Sequence, residues 1–533
     1  MQRPRLRTGK RISFGNAALL LVATSLVAQV MGFFRTKLVN ANFGNMPQSS
    51  PENAGVYFAA FVLPDFFFFI IAAGALGVAF MPYLSDRLAK GDRKGVWELS
   101  SSLVNLLSIF LCVVGIVMFI SADFLASKLV HGFTKDQLDN VATMIRIIAF
   151  NPMLFTISGV LAAVQQVFGR FFFYAIAPLF YNLAIIASLY IFKDNIGIVG
   201  LAVGAAVGAF LQLAIIVVGS YGFGFRWKPK IQRTADFRQM IGQLPPRSLD
   251  QGLDQVQNIV ETKLASSQVL GGATAVGNYN SAFVLHTAPI LLIGTAISTA
   301  IFPKLNVRLS QGRPDLFRQD FLRTLRLILW ITLPVVVVSF FGRGYLARMI
   351  FSSNSQAITN IFGFLCVAIL FRSLYAIISR WFYAQKDTRT PLVVSVFVIA
   401  LNVILAVTLS RPQSYGVEGL ALAQSIVAAV EVFVLASIML IRDRKLFNTV
   451  FWSGVLRVVS VTGFTLMAGF ISVQFLPLGA NDLGVALLFK FTIIASATLF
   501  THLIVSGLFA LEEALTVFNW LKRFILRPVR IEW

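Results

Sequence analysis

Cysteine and histidine are almost missing from this 533-residue chain, which has two of the first and three of the second. The cysteines, Cys112 and Cys366, fall within apolar runs and act there as small hydrophobes; so few thiols rule out a disulfide framework or a thiolate metal site. His131, His286 and His502 stand at no metal-ligand spacing. Charge is scarce as well: Asp, Glu, Lys and Arg together make up 13% of the residues, against about 25% in a soluble domain. The shortage is heaviest on the acidic side, with 23 Asp and Glu against 45 Lys and Arg. Neither a Gly-rich phosphate loop of the Walker type nor a nucleophile elbow is present. The chain therefore reads as no enzyme and carries no nucleotide-driven motor. Any transport it performs is left to sodium, protons or the membrane potential.

What is present in abundance is apolar surface. Hydrophobic residues make up 57% of the chain, and Phe alone occurs 51 times. About fourteen stretches of roughly 20 apolar residues are long enough to cross a bilayer as helices. The first six run approximately from Phe14 to Phe34, Val56 to Phe80, Leu99 to Ser121, Val141 to Gln166, Phe172 to Phe192 and Gly197 to Tyr221. The others begin near Ile241, Gly277, Phe321, Ala357, Pro391, Gly416, Trp452 and Gly484. The expected fold class is an all-α integral membrane protein of about 14 transmembrane helices.

A net charge of +22 on a soluble protein would point to nucleic acid. Here Lys and Arg gather in every second connecting loop, as in Arg87, Lys90, Arg93 and Lys94, then Arg226, Lys228 and Lys230, then Arg442, Arg444 and Lys445. Loops of that kind stay on the cytoplasmic side. With Arg3, Arg5 and Arg7 at one end and Arg523, Arg527 and Arg530 at the other, both termini of this multi-pass chain are expected in the cytoplasm, and no nucleic-acid partner is implied. Leu26-Val27-Ala28 faintly resembles a leader cleavage site, but the apolar run is too long for a leader and is read as a retained first span.

An internal repeat organises the spans. The stretch from Gly74 to Leu88, with Pro82 and Arg87, returns about 221 residues later with Pro303 and Arg308 in the matching places. Asn182 corresponds to Asn402, and Gly197-Ile198-Val199-Gly200-Leu201-Ala202 to Gly416-Val417-Glu418-Gly419-Leu420-Ala421. An offset of six spans preserves orientation, so these are parallel repeats. The expected division is a basic cytoplasmic N-terminus (1–13), an N-lobe (14–221), a basic cytoplasmic linker (222–240), a C-lobe (241–441), an extra pair of spans (452–508) and an amphipathic cytoplasmic tail (509–533). In such a two-lobed plan, substrate binds between the lobes near the midplane and access alternates as one lobe rocks against the other.

Charges inside hydrocarbon are costly unless they meet partners or water. The seventh span concentrates them: Arg247, Asp250, Asp254, Gln257, Asn258 and Glu261 follow at three- and four-residue steps and share one helical face. Such a stripe faces either a water-filled cavity, as a substrate-binding surface, or a buried network in which Arg247 pairs with Asp250 or Asp254. Arg35, beside Gly32 at the end of the first span, either anchors at the head groups or bends into a cavity. Asp65, Arg146, Gln165, His286, Arg372, Glu418 and Glu431 are further polar groups within spans, while Arg457 and Lys490 near span ends read as snorkellers.

Three motifs carry a resemblance. Near the N-terminus stand Gly32-Phe33-Phe34-Arg35 and Phe43-Gly44; in the second span, Leu63-Pro64, Gly74-Ala75 and Ala79-Phe80-Met81-Pro82. Before the eleventh span stands Arg380-Trp381-Phe382-Tyr383-Ala384-Gln385-Lys386-Asp387-Thr388-Arg389-Thr390-Pro391. These resemble the MurJ (MviN) family of the multidrug/oligosaccharidyl-lipid/polysaccharide exporter superfamily, whose members flip lipid-linked peptidoglycan precursors across the bacterial cytoplasmic membrane. The likeness covers nearly the whole chain. It implies a flippase for the undecaprenyl-diphosphate-linked precursor lipid II, with membrane lipids and the cell-wall synthesis machinery as partners and a groove for the lipid tail on the last two spans.

It also implies a central cavity whose arginines hold the diphosphate. Arg35 matches one of them, whereas Gln29, Phe68-Phe69 and Val284 stand where the family has others, and Ala73 where it has an acid. Diphosphate contacts are then expected from Arg35 and Arg247, with Asp250, Asp254, Gln257, Asn258 and Glu261 along the same cavity. Some members bind sodium through an Asn followed four residues later by an Asp; here Asn402 matches and Ala406 replaces the acid, making Asn402 the candidate sodium ligand. Two other readings stay open beside this one. A carboxylate-lined cavity suits export of another cargo, including cations by antiport, and a degenerate cavity suits a scaffold whose basic loops dock partners or anionic lipid.

Overall fold

The structure, a computed structural model, describes residues 14–73, 80–221, 226–232, 234–242, 244–351, 355–479, 482 and 484–515. For residues 14–23, 72, 73, 235 and 244–251 it describes the backbone path alone. All regular structure among the described residues is helical. The first compact unit, Met1–Gly277, holds α1 (Phe14–Phe43), α2 (Ala54–Phe68), α3 (Met81–Ala89), α4 (Arg93–Ile120), α5 (Ala122–Leu129), α6 (Lys135–Ile148), α7 (Asn151–Val167), α8 (Phe172–Ile196), α9 (Gly200–Tyr221), α10 (Ala235–Gly242) and α11 (Leu244–Ala265). Helix α12 (Gly272–Pro289) carries the chain into the second unit, Asn278–Trp533. There follow α13 (Ala296–Ser310), α14 (Pro314–Phe341), α15 (Arg343–Ile350), α16 (Ser355–Ala384), α17 (Arg389–Leu409), α18 (Val417–Arg442), α19 (Thr449–Phe475) and α20 (Val485–Leu508).

Eleven stretches among the described residues are long and apolar enough to cross a membrane. One of them, Phe172–Tyr221, is 50 residues long and contains both α8 and α9. Helix α11 falls outside the set because Arg247, Asp250, Asp254, Glu261 and Lys263 put too many charges along its length. Outward-facing side chains are apolar, as on α4, where Ile109, Val113, Val117 and Ile120 are exposed at helical steps. A stripe of that kind requires lipid. Hydroxyl groups within spans turn back to their own helix instead: Ser100 donates to the Val96 carbonyl at 2.7 Å, and Thr156 to that of Pro152 at 2.7 Å.

The repeat is visible helix end by helix end. A π-helical turn at Phe69–Ala73 has its counterpart at Ile290–Thr295, 221 residues on. The same offset carries α4 onto α14 and α5 onto α15 at both ends. Gly91 at φ +76° and Gly312 at φ +66° break the chain at equivalent points, and Gly197 and Gly416 do so at φ +57° and +58°. Only glycine adopts such angles without strain. Between α8 and α9 the sequence Gly200-x-x-x-Gly204-x-x-x-Gly208 lets the backbones close in: a Cβ on Gly204 would stand 2.0 Å from Ser188 Oγ.

Two features concern the middle of the chain. Residues 226–232 form a strap along α4, where Asn105 donates to the Lys228 carbonyl at 2.7 Å and accepts from Trp227 Nε1 at 2.8 Å. The amides of Lys228 and Gln232 donate to Ser101 and Ser102, and Lys228 pairs with Glu98 at 2.8 Å. Phe237 and Met240 of α10 then bury themselves against Phe80, Leu84 and Trp97. Helix α11, read from the sequence as the start of the second lobe, packs on α2 and the π-helical turn of the first unit, with Gly252 against Ile70.

The connection from α16 to α17 is held by the motif 380–391. Asp387 accepts from the backbone amides of Arg389 and Thr390 at 3.0 Å each and from the Thr390 hydroxyl at 2.6 Å. It thus caps α17, a job the Thr388 side chain at the N-cap position does not do. Pro391 lies in the first turn, where a missing amide costs nothing. From the end of α18, Arg442 donates to Asp387 at 2.6 Å and to Thr390 Oγ1 at 2.7 Å. Arg380 lies over the rings of Phe302 and Tyr383, at 5.2 and 5.9 Å. Lys386 takes φ +63° where the first repeat has Gly169 at φ +73°.

Burial alone would raise the Asp387 carboxyl, but Thr390, through hydroxyl and amide, and Arg442 outweigh it and push it down to about 2. A depressed value means the stabilisation is present above the ordinary carboxylate range and is lost as pH falls through about 2. Asp387→Asn is expected to lower the thermal midpoint of the detergent-solubilised protein at neutral pH, at a cost of about 1 kcal/mol. The difference between the two proteins should shrink on acidification below about pH 4; a gap that is constant with pH would remove the carboxylate from this role.

Candidate functional site

In the first unit the polar site gathers around Arg35 of α1. Its guanidinium lies 6.0 Å from the centroid of the Tyr181 ring on α8, and Tyr57 and Asp65 of α2 are within its electrostatic reach. The Arg35 Nε is buried with no hydrogen-bond partner, and among the described residues Arg35 makes no salt bridge. Its position is set by the packing of α1 on α8. Gly32, one turn earlier, leaves room for Asn182, whose Nδ2 donates to the Pro178 carbonyl at 3.3 Å and reaches the Ala28 carbonyl at 3.5 Å.

The wall beside Arg35 is aromatic. Phe68 meets Phe155 edge-on at 5.6 Å, and Phe155 meets Tyr181 likewise at 5.1 Å. A small pocket opens there, lined by Asp65, Phe68, Asn151, Phe155 and Tyr181. Phe68 and Phe69, where the resemblance places arginines, contribute edge-to-face packing with each other at 5.3 Å and no charge.

The seventh-span stripe divides. The side chains of Arg247 and Asp250 lie outside the described residues, so their pairing is not part of this picture. Asp254 is exposed. Gln257 and Glu261 are buried, and Gln257 Nε2 donates to Glu261 Oε1 at 2.9 Å. Asn258 accepts from the Thr262 hydroxyl at 3.4 Å. Along one helical face there is thus an internal hydrogen bond toward the C-terminal end and an exposed carboxylate about one turn before it.

The second unit neutralises its mid-span arginine. Arg372 of α16 pairs with Glu431 of α18 at 3.2 Å and donates to Gln424 Oε1 at 3.4 Å, while Ser395 of α17 donates to the other Glu431 oxygen at 3.0 Å. Three helices are tied by one carboxylate that is 3% exposed. No short-range signal joins residues 59 positions apart, and the sequence offered both ends only as unassigned polar groups. His286, 3% exposed, lies 5.0 Å from the Phe283 ring.

Asn402 of α17 is fully buried, and neither its Oδ1 nor its Nδ2 has a hydrogen-bond partner. Ala406, one turn on, supplies only a methyl group. Among the described residues no three His, Cys, Asp or Glu side chains cluster in a way that would hold a metal. Of the remaining motif positions, Pro82 lies in the first turn of α3, and Gly74 lies outside the described residues. Arg146 pairs with Asp123 at 2.5 Å, and Lys490 with Asp482 at 2.6 Å.

Long apolar helices in two repeated sets, polar groups confined to a few interior points and turns repeated at a fixed offset define a multi-pass membrane transporter. Solved structures share this fold. One is "Lipid II flippase MurJ, inward closed conformation", at a TM-score of 0.76 and 18% identity over 92% of this chain and 98% of that one. Another is an inward-facing multidrug resistance MATE family transporter of the MOP superfamily, at 0.64 and 15% over 83% and 98%. The family model "Lipid II flippase MurJ" matches residues 52–493. The chain belongs to that family, which is one of transporters and not of enzymes. Similar relatives are the probable lipid II flippase MurJ of Borreliella burgdorferi, 23% identical over 81% of this chain and 84% of that one, and of Rhizobium meliloti, 25% identical over 81% and 79%.

The Arg372–Glu431 pair is testable as a structural tie. Arg372→Ala leaves a buried carboxylate uncompensated and is expected to cost about 3–5 kcal/mol. The double change Arg372→Met with Glu431→Leu should recover most of it in thermal unfolding of the purified protein. Equal melting of the single variant and the wild type would remove the pair from that role.

Proposed function

We propose that this chain flips a lipid-linked cell-wall precursor, lipid II, across a bacterial cytoplasmic membrane by alternating access between its two repeats. The observation that carries the reading is an arginine in the first span, Arg35, whose charge no carboxylate among the described residues neutralises by a salt bridge. Family membership over residues 52–493 supplies the cargo class. A charged sugar head group cannot cross about 30 Å of hydrocarbon unaided. A guanidinium in low dielectric binds a diphosphate through paired, charge-assisted donors, and Arg35 is the contact assigned to it.

In this reading there are fourteen spans, α1 and α11 included, with both termini and the basic loops in the cytoplasm. Arg247 is a second diphosphate contact, Asp250 and Asp254 line the path, and Gln257, Asn258 and Glu261 hold α11 in place beside it. The last two spans carry the lipid tail, and the delivered precursor passes to the cell-wall synthesis machinery outside. Coupling falls to the membrane potential, protons or sodium, with Asn402 as the sodium ligand in the second lobe. A second reading, cation antiport, draws on the exposure of Asp254 and on Asp65 in its pocket.

The deciding experiment expresses the gene in a bacterium depleted of its own flippase and measures growth together with outward exposure of the lipid-linked precursor. Wild type is expected to rescue, Arg35→Ala to reduce precursor exposure at least about tenfold, the effect of losing about 1.4 kcal/mol of binding to the transported state, and Arg35→Lys to restore part of it. Asp254→Asn should leave rescue in place, whereas antiport predicts that even the wild type fails to rescue. A correctly inserted wild type that never rescues would overturn the flippase reading.

A further inference from the structure

A second polar pocket, remote in sequence from the Arg35 site, opens in the second unit where α14 meets the start of α19 and the residues just after α20. Its volume is about 440 Å3, within the usual range of ligand sites. Span ends bound it: α19 begins at Thr449 and α20 ends at Leu508, so the pocket stands at head-group level on one membrane face. One wall is α19, whose Thr449, Ser453 and Arg457 recur every four residues and therefore share a face. Arg457 is exposed and makes no salt bridge among the described residues.

The opposite wall is acidic. Leu511 N donates to the Ser506 carbonyl at 3.0 Å, and Ala510 takes φ +50°, a left-handed angle that strains any side chain but glycine. That turn brings Glu512 and Glu513 back onto α14. Arg326 binds both of them, through Nη2 to Glu512 and Nε to Glu513. Gly454 allows this, since a Cβ there would stand 2.6 Å from Arg326 Nη1. Glu513 is 4% exposed, yet its second oxygen, Oε2, is buried with no partner. An unpaired carboxylate oxygen in such a place wants a hydrogen-bond donor.

The pocket therefore offers a cation with hydroxyl groups on one side and an unsatisfied anion on the other, with two arginines balanced by two glutamates. A simple anion would meet Glu512 and Glu513; a simple cation would meet Arg326 and Arg457. We propose that this pocket binds the head group of a zwitterionic phospholipid carrying a primary amine, a phosphoethanolamine. The phosphate lies against Arg457, Thr449 and Ser453, and the ammonium donates to Glu513 Oε2 once the carboxylate turns that oxygen toward the pocket. A quaternary ammonium lacks the N–H that this oxygen requires, so the site distinguishes ethanolamine from choline lipids. The inference is independent of the transported cargo.

The test uses the full-length protein in detergent, with lipid retention read by native mass spectrometry and thermal midpoints read alongside. Dioleoyl lipids with ethanolamine, choline and glycerol head groups are compared, and soluble phosphoethanolamine serves as competitor. Ethanolamine lipid is expected to be retained at least about fivefold over the choline and glycerol lipids. Glu513→Gln should abolish that preference, and Arg457→Gln, which breaks no hydrogen bond or salt bridge among the described residues, should lower retention of all three lipids. Soluble phosphoethanolamine should compete only weakly, because it lacks acyl chains to share with the apolar helix surface. Equal retention of the three lipids, an ethanolamine preference that survives a folded Glu513→Gln, or unchanged retention by a folded Arg457→Gln would overturn the proposal, and strong displacement by the soluble competitor would overturn the assignment to lipid.

Discussion

Hydrocarbon supplies no hydrogen-bond partner, and in this protein that single constraint sorts every polar side chain within a span. Many hydroxyls solve it locally, as Ser100 and Thr156 do by returning to a carbonyl one turn back. Others solve it between helices: Gln165 reaches the Ile216 carbonyl and Ser220, Trp330 reaches Ser506, and Thr465 meets His502. A short remainder solves it in neither way. Arg35 Nε and both amide atoms of Asn402 are buried and unmet. Leaving such groups bare costs free energy that packing must offset.

The two repeats keep the same backbone path with different side chains. Gly91 and Gly312 are identical answers to one steric demand, while Gly169 and Lys386 are unlike answers to another. Charge has diverged more. The first repeat keeps Arg35 without a salt bridge beside an aromatic wall, whereas the second buries Arg372 in a network with Glu431, Gln424 and Ser395. One repeat thus leaves Arg35 without a salt bridge among the described residues, and the other ties its mid-span arginine into cohesion.

The all-helical membrane class, the repeat and the capped turn before α17 were legible in the sequence because composition, offset and local spacing set them. Asp387 and Thr390 lie within one turn of each other, and their role follows from that nearness. The seventh-span stripe was legible only as a face: periodicity says that Asp254, Gln257 and Glu261 look the same way, but not that packing on α2 encloses the last two and leaves the first open. The lipid-level pocket left no local trace, since Arg326, Arg457 and Glu513 come from three segments far apart in the chain. Tyr57 and Tyr181 were missed beside Arg35 for the same reason.

The strap along α4 has a consequence for biosynthesis. Its partners Ser101, Ser102 and Asn105 leave the ribosome more than a hundred residues before Trp227 and Lys228 do. Until then, α4 presents a row of unfilled serine and asparagine groups at the membrane edge. Once residues 226–242 emerge, they close that row and seat Phe237 and Met240 against Phe80, Leu84 and Trp97. The strap joins segments more than a hundred residues apart, so the polar row on α4 is filled only after the chain between them has been made.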